Sequence, residues 1–225
     1  MNLSPSCLLL ALWPQALTAP RARYPRAYSR KVARLGVFGG TFDPIHVGHL
    51  VAAVNAAYAA QLDRVLMVVA NRPWQKLDSR ELTPAWERYR LVEAAVSGHP
   101  LLEASDLEIR RGGDSYTADT LAELKSLHPE AELFVVVGAD VARDIETWKR
   151  WEEVASEAVL VVVNRPSVPS PCLGPAWRVI HAQMPSMDVS STEIRRRAQS
   201  GEPLDFLIPD AAAAYIKARG LYLRD

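Results

Sequence analysis

From Arg34 onward the chain alternates between short, wholly apolar runs and longer stretches with apolar residues at helical spacing. Leu35-Gly36-Val37-Phe38 is the first run, and it ends in Gly39-Gly40. An Ala-rich helix is expected from about Val47 to Leu62, then a strand over Val65-Leu66-Met67-Val68-Val69. Runs without polar alternation belong to strands covered on both faces. Thr83-Pro84 reads as a helix start, a hydroxyl cap followed by proline at the first helical position, with Gly98 as the stop. Leu101 to Ile109 reads as extended, and a helix follows from about Thr117 to Leu127. Leu133 to Val137 and Val159 to Val163 are two further strands, and Trp177 to Ala182 is a candidate for the last. Short helices over Thr192–Gln199 and Asp210–Arg219 finish the chain. This alternation predicts an α/β fold, a Rossmann-like doubly wound parallel sheet in a single domain with small C-terminal helices. Such sheets bind ligands at the carboxyl ends of their strands, where the unusual residues of this sequence gather.

Composition narrows the class. The 225 residues suit one domain, and 49% hydrophobic content is ample for a core. Twenty-six basic residues balance 26 acidic ones, whereas proteins held on polynucleotide backbones carry a basic surplus, so no nucleic acid polymer is implied. Cys7 and Cys172 make neither a disulfide framework nor a metal knuckle, which suggests a cytoplasmic protein. Residues 1–32 differ in texture: an apolar run from Cys7 to Trp13 is cut short by Pro14 and followed by a Pro- and Arg-rich stretch. They are too short and broken for a membrane span and poor as a signal peptide. The expectation is a disordered extension or an early-assigned start, with the domain over 33–225.

The segment Gly39-Gly40-Thr41-Phe42-Asp43-Pro44-Ile45-His46-Val47-Gly48-His49 joins the first strand to the first helix. Two glycines let the backbone turn sharply and approach a ligand, and the helix N-terminus offers N–H groups and a positive dipole end that suit phosphate. His46 and His49, three apart, are expected to share a helix face and to donate N–H bonds to phosphate oxygens. Ser190-Ser191-Thr192-Glu193-Ile194-Arg195 is a second candidate. By itself it fits a capping box, Ser190 to Glu193, as well as a phosphate site closed by the fork of Arg195.

The first segment resembles the signature of nucleotidylyltransferases of the His-x-x-His type. The second resembles the Ser-Ser-Thr-x-Ile-Arg segment of the same family, and Pro73-Trp74-Gln75-Lys76, Ser115-Tyr116-Thr117, Gly138-Ala139-Asp140 and Trp148 resemble pieces of the bacterial nicotinate mononucleotide adenylyltransferases. The resemblance runs from about Arg34 to the C-terminus and is uninformative over 167–185. It implies that Gly39, Gly40, Thr41, Phe42, Ser190, Ser191 and Thr192 bind ATP, and that His46, His49, Lys76 and Arg195 stabilise charge on its phosphates. Lys76 lies in Pro73-Trp74-Gln75-Lys76, where many members have His in place of Gln75. Gly138-Ala139-Asp140 resembles a Gly-x-Asp that contacts the adenylate ribose, and Arg165 lies in an Arg-Pro at the adenine pocket. Ser115-Tyr116-Thr117 resembles a Ser-Tyr-Thr whose backbone amides recognise the nicotinate carboxylate, and Trp148 stands where a tryptophan stacks on the pyridine ring. Arg88 matches a family arginine and equally fits a surface ion pair. Taken singly, Lys76 fits a solvated loop, Tyr116 and Trp148 fit the core, and Asp140 fits a helix cap.

The implied reaction is transfer of the adenylyl group of ATP to nicotinic acid mononucleotide, giving deamido-NAD and pyrophosphate in NAD biosynthesis. Its nucleophile is already an anion, which agrees with the lack of a Ser-His-Asp set or a defensible carboxylate pair. Mg²⁺ is expected on the ATP phosphates, with no dedicated metal site in the protein. The alternatives are another adenylyl- or cytidylyltransferase of the superfamily, such as one using phosphopantetheine, and a non-catalytic nucleotide sensor on the same fold.

Overall fold

The computed structural model describes residues 33–73, 82–164 and 171–223. The expectations for residues 1–32 and the placements of Lys76 and Arg165 lie outside these. Six strands form one sheet: β1 (Arg34–Gly40), β2 (Arg64–Val69), β3 (Leu102–Ser105), β4 (Glu132–Gly138), β5 (Ala158–Asn164) and β6 (Val179–Gln183). Their order is β3-β2-β1-β4-β5-β6 and every pairing is parallel. This is the doubly wound arrangement expected from the alternating runs.

The helices are α1 (Val47–Ala59), α2 (Ala85–Val96), α3 (Leu107–Arg111), α4 (Thr117–Leu127), α5 (Ala139–Arg143), α6 (Trp151–Glu157), α7 (Ser191–Ser200) and α8 (Asp210–Arg219), with a 3₁₀ turn at Ile145–Thr147. They cover both faces of the sheet. Along the apolar runs, alternate side chains go to opposite cores: Val65, Met67 and Val69 with α1, α2 and α8, and Leu66 and Val68 with α4. Both faces being dry is why the runs carry no polar alternation.

Three boundaries differ from expectation. The stretch Leu101 to Ile109 is not continuously extended, since β3 ends at Ser105 and α3 begins two residues later. An acid in its first turn, arginines in its last and Gly112 at the C-cap complement that short helix's dipole. The first helix stops at Ala59, before Gln61 takes a left-handed conformation (φ 49°). Finally, α2 opens at Ala85 with Pro84 in the cap position and no side-chain cap. Thr83 is engaged elsewhere, its hydroxyl with Tyr222 and its carbonyl with Arg88.

Candidate functional site

The chain leaves β1 toward β2 on one side, while β4 lies on the other. A crevice therefore opens between the loops that follow β1 and β4, at the topological switch point. Two cavities occupy it, one of about 790 Å³ and one of about 190 Å³. They share the end of β1, with Phe38, Gly39, Gly40 and Thr41 lining both, and Gly138 and Val141 on the β4 side.

The larger cavity receives Phe42, His46, His49, Asp140, Ser190, Ser191, Thr192 and Arg195. Gly40 is required there because a Cβ would lie 2.7 Å from the ring of Phe42. Phe42 is buried and meets His49 edge-on, with ring centroids 5.1 Å apart. The two histidines are not both on the helix. His46 precedes it in extended conformation (φ −147°, ψ 170°), and His49 sits in its first turn. Their rings nevertheless stack at 3.8 Å and 29°. The backbone N–H of His46 donates to Nδ1 of His49 at 3.2 Å. Nδ1 is thus an acceptor, and the neutral ring carries its proton on Nε2.

The C-terminal third braces this loop. Arg195 donates to the Asp43 carbonyl at 2.6 Å and to Thr192 Oγ1 at 3.1 Å, and Ser191 donates to the Pro44 carbonyl at 2.8 Å. Ser190 caps α7 by accepting from the Glu193 N–H at 3.2 Å. Only this half of the predicted capping box is made as drawn from sequence. The Glu193 carboxylate instead binds Arg196 and Arg197, and Arg196 holds its pKa down to about 2. The peptide between Asp43 and Pro44 is cis. The Asp43 side chain, 2% exposed, accepts from the Tyr222 hydroxyl at 2.6 Å. Burial, and next the Asp43 charge, push the Tyr222 phenol far above its ordinary value of 10.0. Gly138 permits the close approach of Asp140, because a Cβ would stand 2.4 Å from its Oδ1.

The smaller cavity is lined by Ser115, Tyr116, Thr117 and Trp148, as the sequence grouped them, together with Glu108, Thr120 and Lys149. Trp148 is half-buried against the α4-side core, so it belongs to core and cavity at once. Lys149 Nζ lies 4.5 Å from the centre of the Tyr116 ring, a cation–π contact. Ser115 has less freedom than its motif suggested. Its N–H donates to the Arg72 carbonyl at 3.0 Å and its hydroxyl accepts from the Asn71 N–H at 2.9 Å. Burial raises the Glu108 carboxyl, against the pull of Ser115, Thr120 and Arg111.

Arg88 is buried and not on the surface. It is 1% exposed and donates to three carbonyls: Thr41 at 2.7 Å, Thr83 at 2.8 Å and Asn71 at 3.2 Å. It thereby ties the loop after β1 to the loop after β2. Glu108, Lys149 and Tyr222 were missed by the sequence reading. For Glu108 the signal was the acid-first, arginine-last pattern of α3, while Tyr222 carries no local signal because its partner is 179 positions away.

Residues 37–197 match the cytidylyltransferase-like family. This chain belongs to that family of nucleotidyltransferases. A relative from Corynebacterium kroppenstedtii, named "Probable nicotinate-nucleotide adenylyltransferase", is 44% identical over 87% of this chain and 93% of its own length. A relative of the same name from Thermus thermophilus is 46% identical over 84% of this chain and 99% of its own. Among solved structures, Plasmodium falciparum nicotinic acid mononucleotide adenylyltransferase complexed with NaAD superposes with a TM-score of 0.68 at 19% identity, over 84% of this chain and 97% of that one. At that identity the likeness concerns the fold.

Proposed function

We propose that this nucleotidyltransferase moves the adenylyl group of MgATP onto nicotinic acid mononucleotide, forming deamido-NAD and pyrophosphate in the cytoplasm. The observation that carries this reading is the meeting of two chemically different cavities across Gly39-Gly40-Thr41. One holds two imidazoles, Arg195 and the N-termini of α1 and α7, donors that suit a triphosphate. The other holds an indole, a phenol and the first turn of α4, which suit an aromatic ring bearing an acid. The names of the relatives at 44% and 46% identity agree with this assignment.

The reaction then needs little covalent help from the protein. An oxygen of the acceptor's 5′-phosphate attacks the α-phosphorus of ATP and forms a new P–O bond. The bond from that phosphorus to the oxygen bridging to the β-phosphorus breaks, and its electron pair leaves with pyrophosphate. No proton must move, so no general base is required. Rate comes from holding the two phosphates in line and from donors aimed at the charge that develops. His49 Nε2–H and the guanidinium of Arg195 supply such donors, and the α4 amides orient the acceptor. The metal enters with the nucleotide. Of the carboxylates lining the larger cavity, Asp43 is committed to Tyr222, and among the described residues no three acids, histidines or cysteines converge as a metal cage.

The test is pyrophosphate release from ATP and Mg²⁺ with nicotinic acid mononucleotide, nicotinamide mononucleotide and phosphopantetheine in parallel. Turnover with the acid and little with the amide is expected, because a site arranged for a carboxylate loses a charge-assisted bond to the amide. Turnover with phosphopantetheine alone would reassign the acceptor. Inactivity of folded protein with all three would make it a nucleotide sensor.

A further inference from the structure

Glu108 is a buried acid for which the reaction has no use. It sits in α3, 6% exposed, and lines the smaller cavity beside Ser115 and Thr117. Its Oε1 accepts from the Thr120 hydroxyl at 2.6 Å, and Ser115 lies near enough to favour the charged form of the same side chain. The hydroxyl oxygens of both residues are themselves acceptors. Thr120 Oγ1 accepts from Arg111 at 3.0 Å, and Ser115 Oγ accepts from the Asn71 N–H at 2.9 Å. Arg111 also stands 3.9 Å from Glu108 and binds Glu123 at 3.0 Å, which closes the network.

A hydroxyl has one proton to give. The Thr120 proton is directed at Glu108, with the Tyr116 carbonyl a longer alternative at 3.4 Å, so Thr120 does not donate to a ligand. The Ser115 N–H is also committed, to Arg72. Donors left to the cavity are the Lys149 ammonium and the first-turn N–H groups of α4, which lack intrahelical acceptors and lie at the positive end of the helix.

We propose that Glu108 is a positioning residue for the acceptor. By holding Thr120, whose hydroxyl also lies 3.4 Å from the Tyr116 carbonyl, it fixes the Ser115-Tyr116-Thr117 turn, so that main-chain donors meet the anionic end of the acceptor molecule. This rests on the adenylyl-transfer reading of the smaller cavity. It assigns to Glu108 an effect on acceptor binding that ATP binding does not share.

The experiment is steady-state kinetics of wild type, Glu108→Ala, Glu108→Gln and Thr120→Val with ATP and nicotinic acid mononucleotide, each KM measured at saturation of the other substrate. Glu108→Ala is expected to raise the acceptor KM about tenfold or more with the ATP KM within about twofold, the signature of lost acceptor binding. Glu108→Gln keeps an oxygen that accepts from the Thr120 hydroxyl and should restore most of the loss. Thr120→Val retains the acid and most of the packing, so it serves if Glu108→Ala fails to fold, and it should move the acceptor KM in the same direction. Active wild type with both KM values shifted in step in the variants, or with Glu108→Gln no better than Glu108→Ala, overturns the assignment while leaving the proposed function standing. No turnover by wild type with this acceptor removes both.

Discussion

At the scale of single residues, the bond from the His46 N–H to His49 Nδ1 decides which imidazole nitrogen works. With Nδ1 occupied, the useful proton is on Nε2, one bond further from the backbone. A glutamine places an N–H near that position, whereas an asparagine reaches only as far as Nδ1. His49→Ala should lower kcat by about 10²–10³, in line with removal of one donor from a charge-stabilising site. His49→Gln should retain more activity than His49→Asn, and equal activities would show that the proton is not delivered from Nε2. Tyr222 acts at the same scale by a different route. Tyr222→Phe removes the donor from a buried carboxylate and should cost about 1–3 kcal/mol in denaturant unfolding. An unchanged midpoint would mean that Asp43 is satisfied without it.

At the scale of elements, Arg88 joins three segments that share no sheet pairing with one another: the loop after β1, the loop after β2 and the entry to α2. Arg88→Met fills much of the same volume but leaves three carbonyls short of a donor. It should destabilise the protein by about 3 kcal/mol or more, since removing one side of a buried charged network strands its partners. A smaller loss, measured by chemical unfolding, would mean that water reaches those carbonyls. Elements and residues were not equally legible in the sequence. The strands at Val65, Leu133 and Val159 could be read because burial on two faces leaves a chemical mark on every residue of the run. The loop from Gly39 to His49 could be read because glycine and histidine at a strand end have few structural reasons to coincide. The brace provided by Tyr222 and the three-carbonyl role of Arg88 could not, because each depends on partners brought near only by the folded sheet. The break between β3 and α3 was readable in principle, but a strand of four residues offers little pattern to weigh against its neighbours.

At the scale of the whole molecule, stability should respond to pH through two groups of opposite sign. His99 Nδ1 accepts from the Leu101 and Leu102 amides at 3.2 Å each, and burial lowers its pKa below 6.5. Its contribution is full above that value and is lost as pH falls through the folded pKa, because protonation removes the acceptor. The melting temperature should therefore drop between pH 7.5 and pH 5.5, and less so in His99→Asn, whose side-chain oxygen cannot be protonated in that range. Glu108 acts the other way. Its folded pKa is raised above 4.5, so its contribution is full below that value and declines as pH rises through the folded pKa. Glu108→Gln is expected to remove that decline, so its melting temperature should fall less than wild type as pH rises from 4.5.

The bond between Tyr222 and Asp43 spans 179 positions, and it has a consequence for how the protein is made. The loop that carries His46 and His49 is synthesised early, while the tyrosine that holds its acid follows 179 positions later. At elongation rates of about 5–20 residues per second the interval is on the order of ten to forty seconds. Throughout it the loop waits for its final brace, so an unfinished chain holds the strands of the site before it holds the site.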